Sequence, residues 1–293
     1  MLNFAFNVLL VLAGSSTVLS APAPAAITDT DILQYALTLE HLENAFYSGA
    51  LEKFDEQAFA DAGFDSWVHG RFVQIGQHEA EHVEFLKTAL GSAATQPCTY
   101  NFPYTDPISF AALSMALESV GTSAYLGAAQ DISDKGALTA AGAILTTEAR
   151  HAGWVSSAVL REQPWNGPLE TPLGLDAVYS LAAQFIVECP ATNPALPVKT
   201  FPALIVSNTS PKSGSTITVT HSNQQNVMPE YMSWFNGLNV IYTPIEDGST
   251  QVPQGLAGTV YAGAVSSNSN PPSDSTMLSG LAIFQFAFSS SVV

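Results

Sequence analysis

The chain has 293 residues, 47% of them hydrophobic and 11% charged, which excludes a disordered polypeptide and leaves room for one large domain or two ordinary ones. Lys and Arg total 8 against 25 Asp and Glu, a formal charge of −17. Such a surface is repelled by phosphate backbones and anionic lipid, so no nucleic-acid partner is expected.

The first segment, "NFAFNVLLVLAG" followed by "SSTVLSAPAPAA", reads as an export signal over residues 1–20. It has a short apolar core, and Val18 and Ser20 are small enough for cleavage before Ala21, although the amino terminus supplies the only positive charge. The apolar run is too short to span a bilayer, and no later segment is long enough, so no transmembrane anchor is expected. The expected location is secreted, extracellular or in the cell wall. In that compartment Cys98 and Cys189 read as a disulfide closing a loop of about 90 residues; the alternative is two buried thiols.

Helical periodicity then predicts four long helices and a shorter one. The first runs from about Asp29 to Phe54, with Thr28 or Asp29 as its cap. The second covers about Asp65–Leu90 and stops at Gly91. A long connection, "GSAATQPCTYNFPYT", leads to the third, which starts near Asp106-Pro107 and runs to about Gln130. The fourth spans about Gly136–Arg161, and a fifth about Leu175–Glu188. Beyond Pro194, Pro197 and Pro202 the pattern changes. "STITVTHS", "LNVIYTPI", "GTVYAGAV" and "GLAIFQFAF" alternate as strands do. The expected fold is mainly α with a C-terminal β domain: a four-helix bundle over residues 27–197, then a small β-sandwich over 198–293.

Steps of three and four along each helix define an inward seam. The four seams are Leu33-Leu37-Glu40-Asn44-Tyr47, Phe72-Ile75-Glu79-His82-Leu86, Ala111-Ser114-Glu118-Gly121-Tyr125 and Ala141-Ile144-Glu148-His151-Val155. Each carries a carboxylate near its middle, and two carry a His three residues later. Four buried carboxylates need compensation, since one unpaired buried charge costs several kcal/mol. Arg71 and Arg150, the nearest cations along the helices, fall off the seams. Two divalent cations resolve the imbalance. Glu from two helices and Glu-x-x-His from the other two is the ligand pattern of dinuclear iron or manganese centres in helical bundles. The candidate ligands are Glu40, Glu79, His82, Glu118, Glu148 and His151, with two Fe ions or Mn as cofactor and no organic cofactor. A polar core held by hydrogen bonds is the alternative.

Four neighbours stand open. Glu43 lies one turn beyond Glu40 and can bridge, exchange as a ligand or face solvent. His78 supports the site or lies on the surface. Tyr47 and Tyr125, each seven residues after its Glu, bond a ligand or are ordinary core tyrosines. The offsets, 78 residues from Glu40 to Glu118 and 69 from Glu79 to Glu148, describe two helix pairs about a pseudo-twofold. Asn208, in "NTS", is a glycosylation acceptor for a secreted chain.

The stretches "LQYALTLEHLENAFY", "QHEAEHVEFL", "ALESVGTSAYLGAA" and "ILTTEARHAGW" together resemble the ferritin-like superfamily. With "PCTYNFPYTD", "FIVECPATNPAL" and the tail segments "WFNGL" and "GLAGTVYAG", they resemble the secreted fungal ferritin-like proteins described as stress-response, late-sexual-development or desiccation-related. The resemblance implies a ferritin-like bundle and the same six ligands. It implies a biological context more than a reaction. Two functions follow. One is an oxidoreductase that uses O2 or peroxide to oxidise Fe(II) or an organic substrate. The other is a non-enzymatic wall or stress scaffold whose β domain binds a glycan or protein partner, with Tyr231, Trp234, Phe235 and Tyr242 either stacking on sugar or filling the sheet's core.

Overall fold

A capping box starts the first helix. Thr28 Oγ1 accepts the Asp31 N–H at 3.2 Å while the Asp31 carboxylate accepts the Thr28 N–H at 2.9 Å. The computed structural model describes residues 27–221, 227–269, 271–273 and 276–288; the export signal read over residues 1–20 lies outside them. Helix α1 (Asp29–Lys53) is followed by a short α2 (Glu56–Asp61), which the periodicity did not announce, and by α3 (Trp67–Leu90), which stops at Gly91 with φ of 59°. Helix α4 (Pro107–Ala128) begins as the Asp-Pro pair predicts, with Asp106 accepting the Ser109 N–H at 2.7 Å. Helix α5 (Lys135–Trp154) is capped by Asp134 and continues into a π-helical turn, Val155–Val159, close to the predicted end.

The fifth helix, α6, is shorter than predicted. It covers Leu175–Ala182 and not the whole of 175–188. Residues Ile186–Glu188 form strand β2, paired antiparallel with β1 (Thr99–Tyr100) of the long α3–α4 connection. Two facts explain the switch. Ile186 and Val187 are β-branched, and the Cys98–Cys189 disulfide sits at the end of the ladder and holds both segments side by side. Phe185 packs on Phe102 just beyond it, with ring centroids 5.6 Å apart.

The C-terminal strands form a seven-stranded antiparallel sheet among the described residues: β3 (Leu204–Val206), β4 (Thr216–His221), β5 (Tyr231–Asn236), β6 (Asn239–Glu246), β7 (Ser249–Gln251), β8 (Gly258–Val265) and β9 (Ala282–Phe286). Their order is β3-β4-β7-β6-β5-β8-β9. The edge strands β3 and β9 approach each other, so the sheet curls into a nearly closed barrel or sandwich. Alternation along β8 explains why every one of its residues is buried. Val260 and Ala262 face the interior with Trp234 and Phe284. Tyr261 and Val265 face the helices, where they join Tyr35, Val120 and Ala124. Trp234 is fully buried and donates its indole N–H to Thr243 at 2.8 Å, so it is part of the core and not a sugar platform.

Helix α1 packs along α3 and α4 along α5, giving the two pairs of the bundle. One end of the bundle is filled by aromatic rings: Phe46, Phe72 and Phe110 meet with centroid separations of 5.0 and 4.9 Å. The disulfide spans a sequence separation of 91, for which the chain-entropy argument gives about 4–5 kcal/mol. Cys98→Ser with Cys189→Ser should lower the unfolding free energy by about that amount in guanidinium titrations. Far-UV circular dichroism of the folded variant should be unchanged, because α1, α3, α4 and α5 do not depend on the bridge.

Candidate metal centre

The four inward glutamates come from four different helices: Glu40 on α1, Glu79 on α3, Glu118 on α4 and Glu148 on α5. All are essentially inaccessible to solvent. Each sits on a helix face otherwise made of apolar or small residues, so burying that face carries the carboxylate inward with it. His82 and His151 follow their glutamates by one turn and point the same way.

These six side chains assemble into two overlapping groups. Glu40, Glu79, His82 and Glu148 form one; Glu79, Glu118, Glu148 and His151 form the other. Within each group one ligand atom per residue lies within 4.8 Å of all the others. Glu79 and Glu148 belong to both. The Nδ1 of His82 is 3.1 Å from Glu79, 3.3 Å from Glu40 and 3.4 Å from Glu148. The Nδ1 of His151 is 3.1 Å from Glu118 and 3.3 Å from Glu79.

The surrounding shell repeats the pseudo-twofold. The Tyr125 hydroxyl on α4 donates to Glu40 Oε1 on α1 at 2.5 Å. The Tyr47 hydroxyl on α1 donates to Glu118 Oε1 on α4 and also meets Ser114 Oγ at 2.7 Å. Each tyrosine therefore serves the glutamate of the opposite helix. His78 stacks on His151, its Nδ1 lying 2.9 Å from His151 Nε2. That contact fixes the His151 ring with Nδ1 turned toward the carboxylates. Over this side a groove of about 710 Å³ opens, lined by His78, His82 and His151 with Arg71 and Arg150 at its walls.

Glu43 is buried as well and does not face solvent. Among the described residues it has no hydrogen bond or ion pair, and its Oε1 comes to 3.1 Å of where a Cβ on Gly121 would stand. Glu148 Oε2 comes to 2.7 Å of the same point. Any side chain at position 121 would collide with one or both. The functional weight of Gly121 was not visible in the seam, yet the 78-residue offset pairs it with Glu43 and carries the signal. Asn208 is exposed just after β3 and turns back onto the Ser210 N–H at 2.9 Å.

Burial and crowding dominate the electrostatics. Burial, reinforced by the charges of Glu79 and Glu118, pushes the Glu148 carboxyl well above its usual range. Burial also raises Glu118, with the Glu79 charge adding to it, and raises Glu40 to about 7. Burial alone would do the same to Glu79, but the two imidazoles beside it hold it down to about 2. Burial alone would lower both histidines; the neighbouring carboxylates outweigh it and lift His82 to about 10 and His151 to about 9. Even so, Glu40 Oε2, Glu79 Oε1 and both oxygens of Glu148 are buried without a hydrogen bond among the described residues. Glu79 Oε1 and Glu40 Oε2 lie near imidazole nitrogens only at 3.3 Å and without hydrogen-bond geometry. Such orphaned acceptors, all turned to the shared centre, are what cations would satisfy. The donor set of carboxylate and imidazole suits iron or manganese. The residues fit a dinuclear centre.

Residues 28–161 match the ferritin-like domain family. A ferritin-like domain therefore occupies residues 28–161. The chain is similar to Protein rds1 of Schizosaccharomyces pombe (strain 972 / ATCC 24843), 29% identical over 188 residues, a stretch covering 63% of this chain and 46% of the relative. The match thus spans less than half the length of that curated relative.

The pKa shifts set the pH dependence of the metal-free protein. Above about pH 4.5 the shifts of Glu40, Glu118, Glu148, His82 and His151 all make the folded state hold more protons than the unfolded one. Stability contributed by those protons is lost as pH rises. The melting temperature of chelator-treated protein should fall steadily from about pH 5 to pH 9. With divalent iron or manganese bound, the trend over the same range should flatten or reverse, because the cations replace the protons.

Proposed function

We propose that the chain is a secreted dinuclear iron or manganese carboxylate protein that oxidises Fe(II) or an organic substrate with O2 or peroxide. The observation that carries this reading is the sharing of Glu79 and Glu148 between two four-residue ligand groups. Glu40 and His82 would hold one cation and Glu118 and His151 the other, with Glu79 and Glu148 belonging to both groups. Four carboxylates then balance the charge of two divalent ions, so the buried centre is neutral. Redox chemistry toward O2 or peroxide is what two such ions would supply there.

The remaining work belongs to the protein. Tyr125 and Tyr47 hold the outer oxygens of Glu40 and Glu118, leaving Glu40 Oε2 free and Glu118 Oε2 facing His151 Nδ1. His78 accepts or supplies the proton at His151 Nε2, and so ties the orientation of that ring to a solvent-exposed residue. The groove beside His78, His82 and His151 connects the centre with solvent for metals and small oxidants. Helices α3 and α5 keep the imidazoles one turn from their glutamates, so the ligand set stays assembled between turnovers.

Secretion rests on the apolar leader over residues 1–20 and on the disulfide. No helix among the described residues is long and apolar enough to cross a membrane. Glycosylation at exposed Asn208 and a division between residues 197 and 198 belong to the same proposal. The scaffold reading keeps the bundle but assigns the function to the sheet. Turnover separates the two. Elemental analysis after anaerobic Fe(II) loading should find two metals per chain, with repeated O2 uptake on the same sample. Glu79→Ala with His82→Ala should abolish tight metal binding and leave helical content largely intact. A double variant that still bound two metals would sink the ligand assignment, and metal without turnover would favour the scaffold.

A further inference from the structure

The pseudo-twofold that relates Glu40 to Glu118 and Tyr47 to Tyr125 breaks at a buried acid. By the same offset of 78 residues, Glu43 corresponds to Gly121. One partner is a buried carboxylate without a hydrogen bond; the other has no side chain. Glu43 and Gly121 sit where α1 meets α4, and α6 with the strands β3 and β9 packs over the outer side of that junction. Between them lies a cavity of about 630 Å³. Its walls include Leu39, Leu117, Val120, Phe185, Phe201 and Ile283. Glu43 is the one ionisable side chain among the described residues that line it. A second, smaller apolar pocket meets the first at Leu39, Glu43 and Gly121. The volume is that of a small-molecule site, and so is the composition, mostly apolar walls with a few polar side chains, Glu43, Ser180, Gln184, Thr200 and Thr209.

We propose that this cavity binds an apolar alcohol, with its hydroxyl donated to Glu43 and its hydrocarbon body along α4 and the β9 edge. The head group follows from the walls. A carboxylate head would be a desolvated charge in a cavity whose described lining carries no cation. An ammonium head would give up its hydration for mostly apolar walls in which Glu43 is the one ionisable side chain among the described residues. A neutral hydroxyl gives Glu43 the donor it lacks and costs little to bury. Gly121 matters because it leaves Glu43 and Glu148 side by side, so the head group ends next to the shared carboxylate of the metal centre. That the occupant is the oxidisable substrate rests on the function proposed above; occupancy of the cavity does not.

The test uses the metal-free full chain, with N-phenyl-1-naphthylamine as fluorescent reporter and 1-decanol as competitor. The reporter should bind and 1-decanol should displace it. The methyl ether of 1-decanol, decanoate and decylamine should each compete about tenfold more weakly. Ala116→Trp, which projects a ring into the cavity, should weaken 1-decanol about tenfold while circular dichroism stays unchanged; Leu113→Trp serves if that variant does not fold. Glu43→Leu should erase the preference for the alcohol over its ether, and Glu43→Gln should keep it. Absence of reporter uptake, tighter binding of decanoate or decylamine, or indifference to the tryptophan variants would overturn the proposal. Metal content measured on the same preparations keeps the two readings apart: a chain that takes up 1-decanol but no metal sinks the centre and leaves the cavity, and the converse does the opposite.

Discussion

Four glutamates from four helices converge where water does not reach, with two imidazoles and, among the described residues, no Lys or Arg to meet them. The rest of the bundle is organised around that crowding. An apolar core would be cheaper by several kcal/mol per buried charge. The tyrosines, the serine at 114, the His78 stack and the glycine at 121 each relieve one part of the crowding by donating a proton, fixing a ring or making room. Without a counter-charge the site must hold protons instead, which is why most of its carboxyls are raised and why the metal-free fold depends on pH.

The sheet is attached to this bundle by more than a linker. Tyr261 and Val265 of β8 pack among Tyr35, Val120 and Ala124 of the helices. The Tyr261 hydroxyl receives a hydrogen bond from Ser123 at 3.2 Å. The disulfide anchors the chain that leads from α6 to the sheet onto the α3–α4 connection. These contacts place β3 and β9 against the face of α1 and α4 that carries Glu43 and Gly121. The helical pair is nearly symmetric by itself; the sheet covers one side and so makes the two sides of the centre different. One side is polar and opens over the imidazoles, and the other is apolar and closes over a single carboxylate.

The amino-acid sequence by itself determined the four long helices and the six candidate ligands, because both are written in local periodicity. A residue at every third or fourth position shares a face, so Glu79 and His82, or Glu148 and His151, must point together wherever the helix goes. The caps at Thr28 and Asp106 and the stop at Gly91 are equally local. The strands β4, β6, β8 and β9 were legible from alternation, whereas β3 and β7 are three residues each and too short to show it. What only the tertiary structure decided are matters between distant segments. Residues 186–188 leave the helical pattern because the partner that makes them a strand sits 86 or more residues away, at Thr99 and Tyr100. Tyr47 and Tyr125 serve the opposite helix's glutamate, which spacing along one helix cannot reveal. The burial of Glu43 depends on what packs over α1, and the role of Gly121 depends on an atom it does not have. Periodicity reports which way a side chain faces; what it meets there is a property of the packing.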